Sequence, residues 1–480
     1  MNDATTTAER LVRRFARETN LLVSGRSFSV AGTDAVAEAL RLMLTSLGAH
    51  LGDGGVVFVP GGTVDILLDG HPLPVRDSAE KRVDLAGHHM RVSTEWAGGL
   101  RERGTVRGVR IGIAMVLEPK TAQLALLLRD AGAEVVVYAH PDEIDVEVAA
   151  VLRARGIAVD GDPDLSGAAE RAAAVAFLRS GFDLLLDDGS HLIRLAHEEG
   201  LATGLRGAAE ETTSGLTPLR LMQSEGVLEI PVIAVNDAPT KTSFDNRYGT
   251  GQSCVFAIAD ALDSVGIGLR DQPAVVVGYG PVGEGVAAHL AALGVRVAVA
   301  EADPVRALRA AHDGYAVAPL RESAPGALVI SATGAPHTID AGIVATAAIV
   351  AVAGGVPHEV DVDLESLRPY VGVGGATSPF VERAGDGALL IARGGCVNLA
   401  AGEGNPIEIM DLSFAVQLRA VEHLLTSTLP PGVHAFPAAA DREIAEAALL
   451  ARGECIDELG RAQVQAQREW RSPRFVGAKA

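Results

Sequence analysis

Short apolar runs alternate with amphipathic stretches along most of this 480-residue chain. Between residues 109 and 245 the apolar runs have the length and composition of buried strands, at 109–113, 133–138, 183–186 and 231–235. The segments between them have helical spacing, for example 121–131 and 144–155. This alternation of strands with helices predicts a parallel α/β sheet.

The same alternation returns after residue 251, with strand-like runs at 274–277, 295–300, 327–331 and 348–352. The first hundred residues differ, because a helix is predicted over 35–51 and two strands, 56–62 and 64–70, meet at a glycine-rich turn. The closing segment, from 407 to about 467, has helical spacing. We therefore predict two α/β domains with an added N-terminal α+β segment.

A glycine fingerprint, Gly278-Tyr279-Gly280-Pro281-Val282-Gly283, joins a strand to a helix in the second α/β domain. In such a turn the first glycine permits a tight bend, the second lets pyrophosphate approach the backbone, and the third lets the helix pack on the strand. Glu301 ends the next strand, where a carboxylate accepts the ribose hydroxyls of NAD and disfavours the 2′-phosphate of NADP. The pattern predicts a Rossmann domain that binds NAD.

Composition narrows the expected partners to small molecules. A net charge of −20 and a pI near 5.1 argue against a surface that binds nucleic acid or anionic membrane. The most apolar run, 341–356, is shorter than the ~20 residues needed to span a bilayer, and the N-terminus has no signal-peptide core. The three cysteines, Cys254, Cys396 and Cys455, are too few and scattered for a disulfide framework or zinc site, which indicates a reducing cytoplasm and no bound metal.

A polar segment at 236–246 contains Lys241 four residues before Asp245. A lysine and an aspartate that share a hydrogen bond tune each other's pKa, which suits a base that removes a hydroxyl proton during hydride transfer. The segment precedes the glycine fingerprint by about thirty residues. Together they predict an oxidoreductase-type centre beside the nicotinamide.

Five blocks in the same order make the chain resemble the S-adenosyl-L-homocysteine hydrolase family. The resemblance runs from about Gly108 to about Leu425, and its blocks are 184–189, 206–215, 236–246, 278–283 and 397–399. It implies four segments: an N-terminal extension (1–100), a substrate domain (101–245), a Rossmann domain (246–400), and C-terminal helices (401–480) that return to the substrate domain and contact another subunit. A homo-oligomer, a dimer or a tetramer, is therefore expected.

The family reaction oxidises a ribose 3′-hydroxyl, removes the acidified 4′ proton, expels the 5′ substituent, adds water and reduces the ketone again. The resemblance implies that Lys241 is the base at the 3′-hydroxyl, Asp245 its partner, Glu211 the ligand of the ribose hydroxyls and Asp188 the 4′ base. For Asp188 and Glu211 the alternatives are an Asx-turn and a helix N-cap. The resemblance places further residues at the cofactor, namely Thr212, Thr213, Ser214, Asn246, Gly278, Gly280, Val282, Gly283, Glu301 and Asn398. It places Asn405 and Met410 at the adenine.

Three family histidines are replaced in this chain. Val116 and Gly355 stand where the family has the two histidines that manage protons at the 5′ position, and Asn405 replaces the third. Their loss leaves oxidation and 4′ deprotonation intact but removes the acid–base pair at 5′. Three residues could supply an acid, with Glu118 preferred: Glu118, His191 and His358. The alternatives are a helix cap for Glu118, an exposed first helical turn for His191 and a plain loop residue for His358.

These residues favour a lyase or dehydratase that acts on a purine (adenine) nucleoside and stops at the alkene, as in nucleoside antibiotic biosynthesis. A divergent S-adenosyl-L-homocysteine hydrolase is the first alternative. A catalytically silent NAD-binding regulator is the second, which the retention of Lys241, Asp245, Asp188 and Glu211 disfavours.

Overall fold

A computed structural model describes residues 3–356 and 358–471, so the last nine residues of the predicted segment 401–480 lie outside the described residues. The N-terminal element has four helices and a five-stranded sheet of order β2-β1-β3-β4-β5. Its elements are α1 (Asp3–Thr19), β1 (Ser27–Val30), α2 (Ala35–Ser46), β2 (His50–Leu51), β3 (Val56–Phe58), β4 (Ile66–Leu68), β5 (His71–Pro72), α3 (Ala79–His89) and α4 (Arg91–Arg103).

The helix predicted over 35–51 and the paired strands after it are confirmed, because α2 forms and β3 pairs antiparallel with β4. The sequence pattern missed α1, α3 and α4. The element has its own aromatic cluster, in which Phe15 of α1 packs edge-on against Phe28 of β1 at 5.3 Å between ring centroids. Phe58 of β3 completes the cluster, and all three rings are fully buried.

The middle of the chain folds into alternating strands and helices, as the pattern predicts. Its elements are β6 (Arg110–Ala114), α5 (Pro119–Asp130), β7 (Glu134–Tyr138), α6 (Val146–Ala154), β8 (Ala158–Asp160), α7 (Gly167–Arg179), β9 (Leu184–Asp187), α8 (His191–Glu198), β10 (Gly207–Glu210), α9 (Thr213–Glu225), β11 (Pro231–Ala234) and α10 (Pro239–Thr242). The strands belong to an all-parallel seven-stranded sheet of order β20-β11-β10-β9-β6-β7-β8.

A short π-helix (Asp245–Gly249) leads into the second α/β unit. Its elements are α11 (Thr250–Ser264), β12 (Ala274–Val277), α12 (Pro281–Ala292), β13 (Val297–Ala300), α13 (Pro304–His312), β14 (Ala316–Val317), α14 (Leu320–Ser323), β15 (Leu328–Ser331), α15 (Ala341–Thr346), β16 (Ile349–Val352), β17 (Leu367–Val371), β18 (Thr377–Ala384), β19 (Leu389–Ile391) and α16 (Val397–Ala400). The sheet has the order β14-β13-β12-β15-β16-β19-β18-β17 and is parallel up to β19. The four strands predicted here are confirmed.

The closing segment contains α17 (Ile407–Thr426), β20 (Gly432–Ala435), α18 (Ala438–Ala451) and α19 (Arg461–Arg468). The prediction of an all-helical segment is wrong at β20, which pairs parallel with β11 at the edge of the seven-stranded sheet. A four-residue edge strand carries too little periodicity to be distinguished from a loop. The chain therefore returns to the first sheet after completing the second. None of the helices that the structure describes is long and apolar enough to cross a membrane.

The N-terminal element packs behind the second unit and the closing helix. The buried Arg13 of α1 forms ion pairs with Asp260 and Asp263 of α11. Leu22 donates a backbone hydrogen bond to the Glu408 carboxylate of α17 at 3.1 Å. These contacts join the element to α11 of the second unit and to α17 of the closing segment.

Truncation of the buried aromatic cluster tests how much it stabilises this element. We expect Phe15→Ala to lower the free energy of unfolding by about 3–5 kcal/mol, because a fully buried aromatic ring is removed and a cavity remains. Leu42→Ala is the control, since Leu42 is 72% exposed on α2, and we expect a change within about 0.5 kcal/mol. Urea denaturation followed by circular dichroism measures both, and equal effects of the two substitutions would contradict the packing described.

Candidate active site

The carboxyl ends of the two large parallel sheets open into one cavity of about 2040 Å³. In open α/β sheets, ligands bind at this edge, where the strand order reverses. The reversals fall between β9 and β6 in one sheet and between β12 and β15 in the other. Predicted site residues from both units line the cavity: Asp188, Thr212, Thr213, Ser214, Lys241, Asp245, Asn246, Gly278, Gly280, Val282, Glu301 and Asn398.

Lys241 lines this cavity and is only 2% exposed to solvent. Its Nζ lies 2.7 Å from Oδ2 of Asp245 and 3.9 Å from Oε1 of Glu211. It also donates to the amide oxygens of Asn246 at 3.3 Å and Asn236 at 3.4 Å. The spacing of four residues between Lys241 and Asp245 spans one turn, so the ion pair predicted from sequence forms within one short segment.

Glu211 follows β10 and is held from below by α17. Gln417 donates to its Oε2 at 2.6 Å, and the Ser413 hydroxyl donates to its Oε1. It is not a helix N-cap, because that position on α9 belongs to Thr212, whose side chain accepts from the Gly215 amide. Two donors from a helix distant in sequence therefore fix a carboxylate that faces Lys241.

Asp188 follows β9 in a turn shaped by two other acids. Asp187 accepts backbone hydrogen bonds from Ile193 at 2.8 Å and from Asp188 at 3.1 Å. Glu210 accepts from the backbone amides of Gly189 at 3.0 Å and Ser190 at 2.8 Å. These two buried carboxyls satisfy the turn's amides, which leaves Asp188 to line the cavity.

Burial of several carboxyls in one place raises their proton affinity. Burial raises the pKa of Glu211 to about 7, although the Lys241 charge opposes the shift. Burial likewise raises the pKa of Asp188, with Lys241 acting against it and Asp245 adding to it. For Lys241, burial alone lowers the pKa, but the Asp245 and Glu211 carboxylates outweigh burial and the pKa is raised. Lys241 therefore holds its proton in the ligand-free protein.

The nucleotide side of the cavity has the shape that the fingerprint predicts. Gly278 has φ of +90°, which favours glycine, and a Cβ on Gly283 would lie 2.0 Å from the Gly278 carbonyl oxygen. Glu301 accepts backbone hydrogen bonds from Tyr279 at 2.5 Å and from Asp303 at 2.9 Å, which fixes its carboxylate at the end of β13. This cradle fits a dinucleotide, with the N-terminus of α12 directed at the pyrophosphate.

Arg306 is a cofactor-side residue that the sequence analysis missed. It lines the cavity, and its Nη1 lies 3.7 Å from the position that a Cβ on Gly280 would occupy. A guanidinium beside the second fingerprint glycine suits a phosphate. No motif marks it, because it lies on the helix after the next strand.

Asn405 lies on the loop before α17 and makes its hydrogen bonds within the protein. Its Nδ2 donates to Asp245 and, at 3.1 Å, to Oγ1 of Thr250. Its Oδ1 accepts from Ser253 at 2.8 Å and from Asn398 at 3.0 Å. Asn405 therefore links Asp245 to the predicted cofactor residue Asn398. Its contact with a substrate stays a prediction.

Glu118, the preferred substitute acid, has the position of its alternative, a helix cap. Its carboxylate accepts from the backbone amides of Lys120 and Thr121 at 3.0 Å each and pairs with the buried Lys120 ammonium at 2.6 Å. It is not among the residues that line the cavity. The preference for Glu118 as the acid is therefore corrected. Glu118 lies on the loop expected from the resemblance, but it is the N-cap of α5, and its carboxylate is directed at the first amides of that helix.

The other substitutes and Met410 are placed as follows. Met410 lies half-buried on α17 against the core and is not among the lining residues. His191 is on the exposed first turn of α8 and also lines the cavity, and so does His358, a loop residue with φ of +60°. Two further lining residues, His140 and Glu143, follow β7 and were not predicted from the sequence. The sequence feature that could have identified them is their position just after a buried strand of a parallel sheet, where ligands bind.

Comparisons with known proteins show the family of this chain. The model of the family described as S-adenosyl-L-homocysteine hydrolase, NAD binding domain, matches residues 246–404. The adenosylhomocysteinase of Thermotoga maritima is 35% identical over 409 residues, which cover 82% of this chain and 100% of the relative. The S-inosyl-L-homocysteine hydrolase of Methanopyrus kandleri is 37% identical over 407 residues, which cover 81% of this chain and 94% of the relative.

The chain belongs to the S-adenosyl-L-homocysteine hydrolase family. It is an NAD-dependent, adenosylhomocysteinase-like enzyme, and its cofactor is NAD. The adenosylhomocysteinase of Archaeoglobus fulgidus, 36% identical over 406 residues, covers 82% of the chain and 98% of its own length. These alignments are longer than the segment 108–425 that carries the resemblance in the sequence analysis. The likeness therefore extends beyond the active-site blocks.

The raised pKa of Glu211 predicts a pH-dependent cost of keeping this carboxyl buried. The Glu211 carboxyl releases its proton near pH 4.5 in the unfolded chain and near pH 7 in the folded protein. The stability that the protonated carboxyl contributes is therefore fully present below pH 4.5 and is lost as the pH rises through 7. We therefore expect Glu211→Gln to gain stability relative to the wild type across that window, by at most about 1.4 kcal/mol per pH unit. Urea unfolding at several pH values measures it, with the exposed Glu95→Gln as control. A pH-independent difference would contradict the shift.

Proposed function

We propose that this enzyme acts on a 5′-substituted or 5′-hydroxylated purine nucleoside by transient 3′-oxidation, 4′ deprotonation and 5′-elimination. We further propose that it stops at the alkene, as a lyase or dehydratase in nucleoside natural-product biosynthesis. The observation that carries the proposal is one cavity lined by Lys241, Asp245 and Asp188, with Glu211 buried 3.9 Å from the Lys241 ammonium. Val116 and Gly355 line the same cavity. Neither Val116 nor Gly355 has a side chain that can transfer a proton at 5′.

The first step is oxidation at the ribose 3′ carbon. NAD, when bound, accepts the hydride from that carbon. Glu211, immobilised by Ser413 and Gln417, accepts hydrogen bonds from the ribose hydroxyls. Lys241 takes the 3′-hydroxyl proton after giving up its own, and Asp245 holds the amine in place at 2.7 Å.

The second step is removal of the 4′ proton next to the new ketone. Asp188 lines the same cavity and interacts electrostatically with both Lys241 and Asp245. Its raised pKa makes it a stronger base than an ordinary aspartate once it is ionised. Loss of the 4′ proton then expels the 5′ substituent and forms the C4′–C5′ double bond. Return of the hydride to the 3′ carbon, which bound NAD would supply, reduces the ketone again, so the overall reaction has no net redox change.

A divergent S-adenosyl-L-homocysteine hydrolase is the second candidate, because relatives 35–37% identical to this chain are named adenosylhomocysteinase and S-inosyl-L-homocysteine hydrolase. The two candidates differ in one step, because the hydrolase adds water to the alkene, whereas the lyase releases the alkene as its product. A silent regulator is disfavoured, because burying a lysine among carboxyls lowers the stability of the fold, and NAD binding alone does not require such a cluster.

We also propose the domain division 1–100, 101–245, 246–400 and 401–480, and a homo-oligomer that uses the last segment. The support is a row of apolar side chains exposed there, namely Leu450, Ile456, Leu459 and Trp470, with exposures from 55% to 83%. Large exposed apolar residues grouped in one segment are typical of subunit contacts.

Incubation with adenosine or S-adenosylhomocysteine in heavy water separates the proposed steps. We expect wild-type protein to exchange the 4′ hydrogen with solvent, because exchange requires NAD, Lys241 and Asp188, but to release homocysteine slowly. Lys241→Ala should lose exchange by about 10²–10⁴-fold, since a general base is removed. Mass spectrometry of the recovered nucleoside measures exchange, and a thiol assay measures release.

NAD content of the denatured proteins is the control, because Lys241→Ala should retain NAD while losing exchange. Rapid thiol release by the wild type would establish the hydrolase instead of the lyase. Unchanged exchange in Lys241→Ala would show that Lys241 is not the base.

The pH profile of the oxidation step should depend on Asp245. The Asp245 carboxylate raises the pKa of Lys241, so Asp245→Asn should lower it and shift the rise in 3′-oxidation rate to lower pH. Single-turnover absorbance of reduced NAD between pH 6 and 10 measures the shift. The exposed Asp237→Asn, four residues before Lys241, is the matched control. A shift to higher pH, or none, would contradict the role of the ion pair.

A further inference from the structure

A cavity-lining acid beside Asp188 has no part in the steps above. Glu143 lies in the turn after β7, and no residue in the described part of the chain donates a hydrogen bond to its carboxyl. A side chain that lines a cavity next to a proposed proton acceptor, with its own oxygens uncommitted, is available to a ligand. Glu118, by contrast, uses its carboxylate to cap α5.

The backbone places Glu143 directly beside Val116. The Leu117 amide donates to the Glu143 carbonyl at 2.8 Å, and the Asp145 amide donates to the Leu117 carbonyl at 3.0 Å. These bonds form a parallel bridge between Leu117 and Ile144, which sets Val116 opposite Glu143. Residues opposite each other in a bridge direct their side chains to the same face, and both of these line the cavity.

The surroundings of Glu143 favour its protonated form. Burial contributes most, and the carboxyls of Asp188, Asp142 and Asp187 add to it, followed by the Cys396 thiol. The pKa of Glu143 is therefore raised well above its ordinary value. Two carboxyls in one site cannot both ionise easily, so ionised Asp188 beside protonated Glu143 is the favoured pair.

We propose that Glu143 is the general acid that protonates the 5′ leaving group. This proposal rests on the proposed function. As Asp188 takes the 4′ proton, the C4′–H electron pair forms the C4′–C5′ double bond and the C5′–O bond breaks. The departing oxygen takes the proton of Glu143 and leaves as water when the 5′ group is a hydroxyl. The Glu143 carboxylate then regains a proton from solvent, and no external oxidant or reductant is required.

His140 is the neighbouring alternative. Its Nδ1 lies 2.9 Å from Glu170, its Nε2 is buried without a hydrogen-bonding partner among the described residues, and its ring lies 5.2 Å from that of His191. It follows β7 three residues before Glu143 but lacks the backbone register with Val116. His140→Gln therefore belongs in the experiment as a competing outcome.

The test compares two leaving groups that differ in their need for a proton. Adenosine must lose hydroxide or water, whereas 5′-chloro-5′-deoxyadenosine loses chloride, which leaves without protonation. We expect Glu143→Gln to eliminate water from adenosine about 10²–10⁴-fold more slowly and to eliminate chloride at the wild-type rate. Its 4′ exchange in heavy water should equal that of the wild type, because Lys241 and Asp188 are unchanged.

The control Glu147→Gln makes the same chemical change at an exposed side chain on α6 and should leave every rate unchanged. The protonated-carboxyl infrared band at neutral pH should be weaker in Glu143→Gln than in the wild type, because one of the buried protonated carboxyls is removed, and this gives a readout independent of turnover. Equal losses on both substrates, or a selective loss in His140→Gln but not in Glu143→Gln, would overturn the proposal. Failure of the wild type to exchange the 4′ hydrogen would instead overturn the proposed function and, with it, this role.

Discussion

One buried positive charge organises the catalytic half of this protein. Lys241 lies among Asp245, Glu211 and Asp188, all at the carboxyl edge of the seven-stranded sheet. Without its ammonium these carboxyls would repel one another in a region of low dielectric, and without them the lysine would lose its proton to burial. Each side of the cluster therefore depends on the other, and a small change in protonation moves the whole group.

This arrangement suits chemistry in which protons move between neighbouring side chains of one cavity. Glu211, with a pKa of about 7, can gain or lose a proton near neutrality, and burial raises the pKa of Asp188 as well. The proton that leaves Lys241 therefore has acceptors within the same cluster. Coupled titration of this kind allows one cavity to contain both a base and an acid.

The N-terminal element supports the same cluster from outside the cavity. Asn20 accepts from the Lys120 ammonium at 3.1 Å, and Lys120 in turn donates to the Glu403 carbonyl at 2.5 Å. That contact holds the loop that bears Asn405, which donates to Asp245. The described residues of the element do not line the cavity, since its lining begins at Val116. The element therefore braces the loop behind the ion pair and does not cover the opening.

The sequence by itself determined the parallel α/β units, the NAD fingerprint and the Lys241–Asp245 pair, because each depends on local spacing. Strands of the parallel sheets are continuous apolar runs, the glycines act within one turn, and the ion pair joins residues only four positions apart. Tertiary structure decided which of the remaining acids also line the cavity. Glu118 and Glu143 are both acids after strands of one sheet, yet capping geometry directs Glu118 into its own helix. Glu143 is directed into the cavity by the bridge between Leu117 and Ile144, because the pairing of two segments that are distant in sequence sets which face each side chain occupies.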